Sequence, residues 1–169
     1  HFIVGDPIAQ VKSPFGVTQA FEALGQNAIC IPAHVESSQL KSWLDGVSKA
    51  TNTDGIIVTV PHKFDCQALC ATLSERAHFL AAVNTMRRNA DGSWHGDMFD
   101  GLGYVRAIQD KGFDLSGKKA LLVGAGGAGS AVARLRIVPR DLGGVTGGSG
   151  QGTCPDCSRL RTLCWRLSR

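Results

Sequence analysis

An apolar β-branched run at residues 56–60 constrains the fold of this chain most, because it has the length and composition of a buried strand and no helical period. Pro61 ends the run, since proline cannot donate a hydrogen bond to a sheet, and the residues after it suit the start of a helix. Thr59, His62 and Lys63 are therefore predicted to lie at the C-terminal end of a strand, where open α/β sheets bind ligands. A lysine held there can exchange a proton with a ligand, although most lysines that follow a strand are solvated surface residues.

The N-terminal part of the chain alternates between strand and helix signals. Ser13 and Pro14 are predicted to open a helix, with Ser13 as the N-cap, and Gly25 suits the residue that follows the end of that helix. The other predicted elements are strands at 3–4, 28–35, 54–60, 84–88 and 93–95 and helices at 40–47, 62–73, 74–81 and 102–111. A turn at 89–92 is predicted to join the last two strands, and Gly112 is predicted to close the last helix. This order predicts an α/β fold with a mostly parallel sheet and helices on both faces.

A second domain is predicted from a glycine-rich turn. Residues 120–123 give a clean apolar strand signal, and Gly124-Ala125-Gly126-Gly127-Ala128-Gly129 follows directly. Such a turn lets the backbone approach a pyrophosphate at the N-terminus of a helix. We predict a substrate-binding domain at 1–103 and the start of a Rossmann dinucleotide-binding domain at 104–142. The predicted cofactor-binding glycines are Gly124, Gly126, Gly127 and Gly129.

The predicted second domain is incomplete. Residues 135–138 resemble its second strand, but only residues 124–134 separate this strand from the first, which is shorter than a usual crossover. Arg140 follows the second strand and suits the 2′-phosphate of NADP, whereas the adjacent Asp141 suits the free 2′-hydroxyl of NAD. The sequence therefore leaves the cofactor open between the two.

The composition changes abruptly near the C-terminal end of the sequence. Residues 1–133 carry 11 Lys and Arg against 12 Asp and Glu, whereas residues 134–169 carry 7 Arg and 2 Asp, so the net charge changes from −1 to +5. The tail at 143–169 has no hydrophobic period, and we predict that it is disordered and arose from a frameshift or premature end. Cys154 and Cys157 form one Cys-x-x-Cys pair, which is a weak zinc signal because a closed site needs four ligands, and no metal is predicted.

Four motifs together resemble the shikimate dehydrogenase family, over residues 2–133. In chain order they are Gly5-Asp6-Pro7-Ile8-Ala9 with Lys12-Ser13-Pro14, Val58-Thr59-Val60-Pro61-His62-Lys63, Ala82-Val83-Asn84-Thr85, and Gly96 with Asp100-Gly101 before the glycine-rich turn. The resemblance implies that Lys63 and Asp100 are the catalytic pair, with the lysine exchanging a proton with the reacting hydroxyl. It also implies that Ser13, Thr59 and Asn84 bind the hydroxyls and carboxylate of the substrate.

Each of these residues also has a simpler structural explanation. Ser13 suits a helix cap, Asn84 suits a turn at the edge of a strand, and Asp100 can cap the helix that follows it. All of these simpler explanations would have to coincide in the order of the family, which favours the functional interpretation.

The sequence departs from the usual pattern of the family at three places, one of which is a pair of residues. Val11 stands where serine is usual, Met98-Phe99 replaces a polar pair before Asp100, and Ile57 stands where asparagine is common. The departures favour a divergent branch, so quinate or another polyol acid stays open beside shikimate.

The resemblance implies an NADP-dependent oxidoreductase, with NAD as the alternative cofactor, that interconverts shikimate and 3-dehydroshikimate in aromatic amino acid biosynthesis. An inactive, truncated remnant of such an enzyme is the rival interpretation. We expect a cytoplasmic protein, since Cys30, Cys66 and Cys70 lie in apolar segments typical of reduced core cysteines. We expect a small-molecule substrate. No membrane partner is expected, since no apolar run approaches the roughly 20 residues of a membrane span. No nucleic-acid partner is expected, since the basic tail has Trp165 as its single aromatic residue. A homodimer is left open.

Overall fold

The computed structural model describes residues 1–116, 118 and 127–134. The chain divides into two compact units, of which the first is His1–Met98 and the second begins at Phe99. The strands predicted at 120–123 and 135–138 and the tail predicted at 143–169 lie outside the described residues. The domain limits read from the sequence therefore stay predictions.

Strands and helices alternate through the first unit. In chain order the elements are β1 (Phe2–Gly5), α1 (Ser13–Ala23), β2 (Ile31–His34), a short 3-10 helix (Ser37–Gln39), α2 (Leu40–Val47), β3 (Gly55–Val58), α3 (Lys63–Ala68), β4 (Thr72–Leu73), α4 (Glu75–Leu80), β5 (Thr85–Arg88) and β6 (Trp94–Asp97). The second unit contains α5 (Asp100–Asp110) and α6 (Gly127–Arg134). None of the described helices has the length and apolar character needed to cross a membrane.

The strands form one mixed sheet in the order β2-β1-β3-β5-β6-β4. Pairing is parallel between β1 and β2, between β1 and β3, and between β4 and β6, and it is antiparallel on both sides of β5. Within the described part of the chain, β5 therefore opposes the direction shared by the other strands of the sheet. The predicted mostly parallel α/β fold is confirmed.

The centre of the sheet buries one face of β3. Ile56 and Val58 are each 1% exposed, and the residues that alternate with them are half-buried. Val58 pairs with Val4 of β1, and Ile56 pairs with Met86 of β5, and both partners are fully buried. Because directly paired residues share a face, these four side chains form the core of the first unit on that side of the sheet.

The N-terminus of α1 differs from its prediction by one residue. Lys12 is the N-cap and Ser13 is the first helical residue, so the prediction that Ser13 caps the helix is wrong. Lys12 already has backbone angles near the helical region (φ −105°, ψ −10°), and this leaves position 13 inside the first turn. An N-cap residue is usually extended, which Ser13 is not.

Glycines end α1 and α5 in the same way. Gly25 has φ +67° and Gly112 has φ +82°, and each N–H donates to the carbonyl three residues earlier, at 3.0 and 2.8 Å. The next N–H in each case donates to the carbonyl five residues earlier, at 2.8 and 3.3 Å. This is the Schellman arrangement, in which glycine supplies the left-handed residue, and both predicted helix ends are confirmed.

The predicted helix at 62–73 is wrong in its second half. α3 ends at Ala68, and Thr72–Leu73 form a short strand that pairs in parallel with β6. The Ala71 N–H donates to Trp94 O at 2.9 Å, which brings the chain onto the sheet just before this strand. The apolar spacing fits a helix locally, but pairing with a strand more than 20 residues later decides the structure.

Gly96 of β6 lies where a side chain has no room. A Cβ there would lie 2.6 Å from Val83 Cγ1, 2.8 Å from Cys70 Sγ and 2.9 Å from Leu73 Cδ2. Gly96→Ala is expected to destabilise the first unit by roughly 2 to 3 kcal/mol, because overpacking forces neighbouring atoms to move. Urea unfolding measures the change, with Gly46→Ala in α2 as the control, since a Cβ there meets nothing within 4 Å. Equal stability of Gly96→Ala and the wild type would contradict this packing.

Candidate functional site

The strand order places a topological switch point between the parallel strands β1 and β3. From β1 the chain passes to β2 on one side, and from β2 it crosses back to β3 on the other side of β1. Open α/β sheets have a crevice at such a point, outside the carboxyl ends of the strands. The loops at 6–12 and 59–62 leave β1 and β3 at this edge, which makes the edge the candidate site.

Backbone hydrogen bonds hold these two loops together. The Thr59 N–H donates to Val4 O, and the Asp6 N–H donates to Val60 O, each at 2.9 Å. A Cβ at Gly5 would collide with Thr59 Cγ2 and would lie 2.9 Å from Val60 O. Glycine at position 5 therefore allows the Thr59 side chain to pack directly on the backbone of β1.

Lys63 and Asn84 are joined to the same edge. The Val83 N–H donates to Lys63 O at 2.9 Å, and the Val58 N–H donates to Asn84 O at 2.7 Å. Lys63 is the first residue of α3, and Asn84 immediately precedes β5, whose start lies beside the carboxyl end of β3. Thr59, Lys63 and Asn84 are all half-buried. The structure thus brings three predicted site residues to one edge of the sheet with partly accessible side chains.

The carboxamide of Asn84 is oriented by its neighbour in sequence. Thr85 Oγ1 donates to Asn84 Oδ1 at 3.1 Å. Because a carboxamide carries its donors on nitrogen and its acceptor on oxygen, this bond directs the Asn84 NH₂ group away from Thr85. The NH₂ group is therefore the part of Asn84 best placed to recognise an oxygen atom of a ligand.

His62 anchors the turn that precedes Lys63, a role that the sequence did not predict. The side chain is fully buried, and its Nε2 donates to Val35 O at 2.6 Å. A carbonyl can only accept, so Nε2 carries a proton, and Nδ1 has no hydrogen-bond partner within the described residues. The bond ties the loop after β3 to the end of β2 and so fixes the backbone from which Lys63 extends.

Asp97, the last residue of β6, is the centre of a polar cluster that the sequence also did not predict. Arg76 Nε and Nη2 donate to its two carboxylate oxygens at 2.6 Å each, and both Ser74 Oγ and the Met98 N–H donate to Oδ1. Burial acts to raise the pKa of Asp97, but the hydrogen bonds from Arg76, Ser74 and Met98 and the Arg76 charge outweigh it and hold the pKa below its usual range. The two side-chain partners lie 23 and 21 residues away, beyond any local pattern.

Asp97→Asn is expected to destabilise the first unit by roughly 2 kcal/mol near neutral pH, because the half-buried carboxylate and its bidentate ion pair with Arg76 are lost. Since the folded-state pKa of Asp97 is depressed, its contribution is complete above the unfolded pKa of about 4 and is lost as the pH falls through the folded value. The wild type should therefore lose stability faster than the variant as the pH falls below about 4. Urea unfolding at several pH values measures this, and parallel profiles for the two proteins would contradict it.

The other predicted site residues that the structure describes lie at the starts of helices. Ser13 is half-buried and is the first residue of α1, which follows the loop from the carboxyl end of β1. Asp100 is the first residue of α5 and belongs to the second unit. Gly127 is the first residue of α6, and Gly129 lies in its first turn. The remaining predicted cofactor residues lie outside the described part of the chain: Gly124, Gly126 and Arg140.

The described part of α6 fits the predicted position of a cofactor pyrophosphate. The helix begins inside the glycine motif, and its first turn has no acidic side chain. A helix N-terminus attracts anions, and here no carboxylate of that turn would repel a phosphate. No group of three or more His, Cys, Asp or Glu side chains within the described residues is placed to hold a metal ion.

A groove of about 480 Å³ lies at the opposite edge of the sheet, where the strands begin. Its lining includes Phe2, Ile31, Asn52 and Asp54, and it contains none of the predicted site residues. Ligand sites of open α/β sheets lie at the carboxyl ends of the strands instead. The carboxyl edge is therefore the better candidate for a functional site.

A mostly parallel α/β domain with polar side chains from several loops at its switch point is typical of domains that bind a small ligand. Residues 3–86 match the family profile described as the shikimate dehydrogenase substrate binding domain. These matches confirm the resemblance to the shikimate dehydrogenase family that the motifs indicate.

The chain spans about half the length of the curated relatives it matches. It is 36% identical over 154 residues to a shikimate dehydrogenase (NADP(+)) of Rubrobacter xylanophilus, covering 86% of this chain and 54% of that protein. It is 42% identical over 139 residues to the protein of the same name from Xanthomonas euvesicatoria, covering 79% of this chain and 47% of that protein. A crystal structure of a Thermus thermophilus shikimate 5-dehydrogenase in complex with NADP(H) and shikimate aligns with a TM-score of 0.72 at 32% identity, covering 78% of this chain and 49% of that chain.

Proposed function

We propose that the chain supplies the substrate-binding part of an NADP-dependent oxidoreductase that interconverts shikimate and 3-dehydroshikimate, a step of aromatic amino acid biosynthesis. One observation carries the proposal: Thr59, Lys63 and Asn84 lie at the switch-point edge of a domain that matches the shikimate dehydrogenase substrate binding domain. The structural neighbour that binds shikimate and NADP(H) shares this fold and supports the choice of ligand.

Lys63 is assigned the acid/base role at the reacting hydroxyl. Its half-buried position strengthens an interaction with a bound ligand and still permits proton exchange with solvent. Thr59 and Asn84 are assigned to the other ring hydroxyls, because backbone bonds fix both residues at the same edge. Ser13 is assigned to the ligand carboxylate, which the N-terminus of a helix favours. Asp100 is assigned as the second catalytic residue on the family resemblance.

The cofactor assignment rests on the glycine motif. Gly124, Gly126, Gly127 and Gly129 are assigned to the pyrophosphate of NADP, and Arg140 is assigned to its 2′-phosphate, with NAD as the alternative. The bound nicotinamide would accept or supply the hydride. A Rossmann second domain and a cytoplasmic location belong to the same proposal.

Quinate or another polyol acid is the alternative substrate. Val11, Ile57 and the Met98-Phe99 pair depart from the family pattern close in sequence to residues assigned to the ligand. Two of the departing side chains, Val11 and Ile57, are half-buried, so they are partly accessible. An apolar side chain in place of a polar one removes a hydrogen bond to a ligand, which changes selectivity between analogues.

Isothermal titration calorimetry of the 169-residue chain with shikimate, quinate and NADP tests the proposal. Shikimate is expected to bind, and Asn84→Ala is expected to weaken its binding about tenfold or more by removing a half-buried hydrogen-bond partner of the ligand. Asn52→Ala is the matched control, because Asn52 lies in the groove at the opposite edge. No heat with millimolar shikimate would contradict the proposal. Shikimate binding without NADP binding would identify a substrate-binding remnant.

A further inference from the structure

Asp97 is bonded to both ends of the segment that carries Asn84. Its carboxylate accepts hydrogen bonds from Ser74 and Arg76, at the start of α4. Its backbone carbonyl accepts the N–H of Asn84, at 2.9 Å. The segment 74–84 therefore begins and ends on one residue, the last of β6.

The segment needs such an anchor because it is short and locally unfavourable. α4 has only 6 residues, and Ser74 caps it by accepting the Ala77 N–H at 3.1 Å. Ala81, which ends the helix, has φ +49°, a left-handed conformation that is unfavourable for a residue with a Cβ. The path from α4 to Asn84 is therefore held by tertiary contacts rather than by local preference. These are the bonds of Asp97 at its two ends and the bond from the Val83 N–H to Lys63 O between them.

We infer that Asp97 is a positioning residue for substrate binding, because it clamps the start of the 74–84 segment with its side chain and holds Asn84 with its backbone carbonyl. The carboxylate is engaged by four donors, so it acts through Asn84 and not as a ligand-binding group. The inference rests on the proposed function for its ligand, shikimate.

Two measurements on Asp97→Asn test the inference. Amide hydrogen exchange by NMR reports the bond from the Asn84 N–H directly and requires no ligand. Shikimate affinity by calorimetry reports the consequence for binding, at a temperature where circular dichroism shows the variant folded. Arg76→Met breaks the same clamp from the other side and serves as the second variant if Asp97→Asn does not fold.

Arg88→Met is the control for a loss of stability that does not involve the candidate site. Arg88 is the last residue of β5, at the end of the strand away from Asn84. Its guanidinium donates to Thr53 O at 2.8 Å and to Ser48 O at 2.9 Å, and its Cζ lies 4.7 Å from the centroid of the Trp94 ring. Its removal should destabilise the same unit without changing the carboxyl edge of the sheet. It therefore separates loss of stability from loss of position.

In Asp97→Asn, the Asn84 amide hydrogen is expected to exchange about tenfold faster and shikimate is expected to bind about tenfold more weakly. In Arg88→Met, neither the exchange rate nor the affinity is expected to change by this amount. Unchanged Asn84 exchange in Asp97→Asn would overturn the inference. An affinity loss in Arg88→Met equal to that of Asp97→Asn would also overturn it. If the wild type does not bind shikimate, the proposed function fails, and the exchange comparison alone decides whether Asp97 positions Asn84.

Discussion

Under the proposed function, Lys63→Ala should lower shikimate-dependent reduction of NADP by about 10²- to 10⁴-fold, the range in which a positioned acid/base residue contributes to a reaction. The fold should survive, because Lys63 is half-buried at the first position of α3 and accepts the Val83 N–H with its backbone carbonyl, which alanine retains. The absorbance of the reduced nicotinamide measures turnover, and circular dichroism measures folding.

The comparison needs a lysine that lies outside the candidate site. Lys49→Ala serves, since Lys49 is exposed and follows α2. Turnover of Lys49→Ala should match the wild type. Wild-type turnover in Lys63→Ala would remove the acid/base assignment, whereas an equal loss in both variants would point to a general effect of lost charge.

Gly5→Ala should weaken shikimate binding about tenfold or more and destabilise the first unit by roughly 2 kcal/mol. The added Cβ would collide with Thr59 Cγ2 and would lie 2.9 Å from Val60 O, and this backbone carbonyl cannot move without moving a loop of the site. Calorimetry with shikimate and urea unfolding measure the two effects.

A second substitution relieves the same collision. Thr59→Ser removes Cγ2 but keeps the hydroxyl that the proposal assigns to the ligand. The double variant Gly5→Ala with Thr59→Ser should therefore recover part of the lost affinity, while the contact with the Val60 carbonyl persists. An affinity of Gly5→Ala equal to that of the wild type would show that Thr59 does not need its position on β1.

Local signals in the sequence predicted those parts of the fold that local physics determines. The β-branched run became β3, the turn at 89–92 joined β5 to β6, and Gly25 and Gly112 ended their helices in the left-handed conformation. Each depends on residues a few positions apart, where backbone preference and side-chain alternation dominate.

Features set by distant partners were not predictable in the same way. The local pattern at β4 predicts a helix, because the pairing of β4 with β6 is not encoded near residue 72. The cluster of Arg76 and Asp97 and the bond from His62 to Val35 join residues 21 and 27 positions apart. A single sequence shows which side chains are polar but not which of them the sheet brings together.

An NMR titration of the isotopically labelled chain with shikimate tests the central claim most directly, because each backbone amide reports the location of binding. We expect the largest saturable shifts at Thr59, Lys63 and Asn84, at the carboxyl edge of the sheet. Shifts confined to Asn52 and Asp54, in the groove at the opposite edge, or no saturable shifts at all, would contradict it.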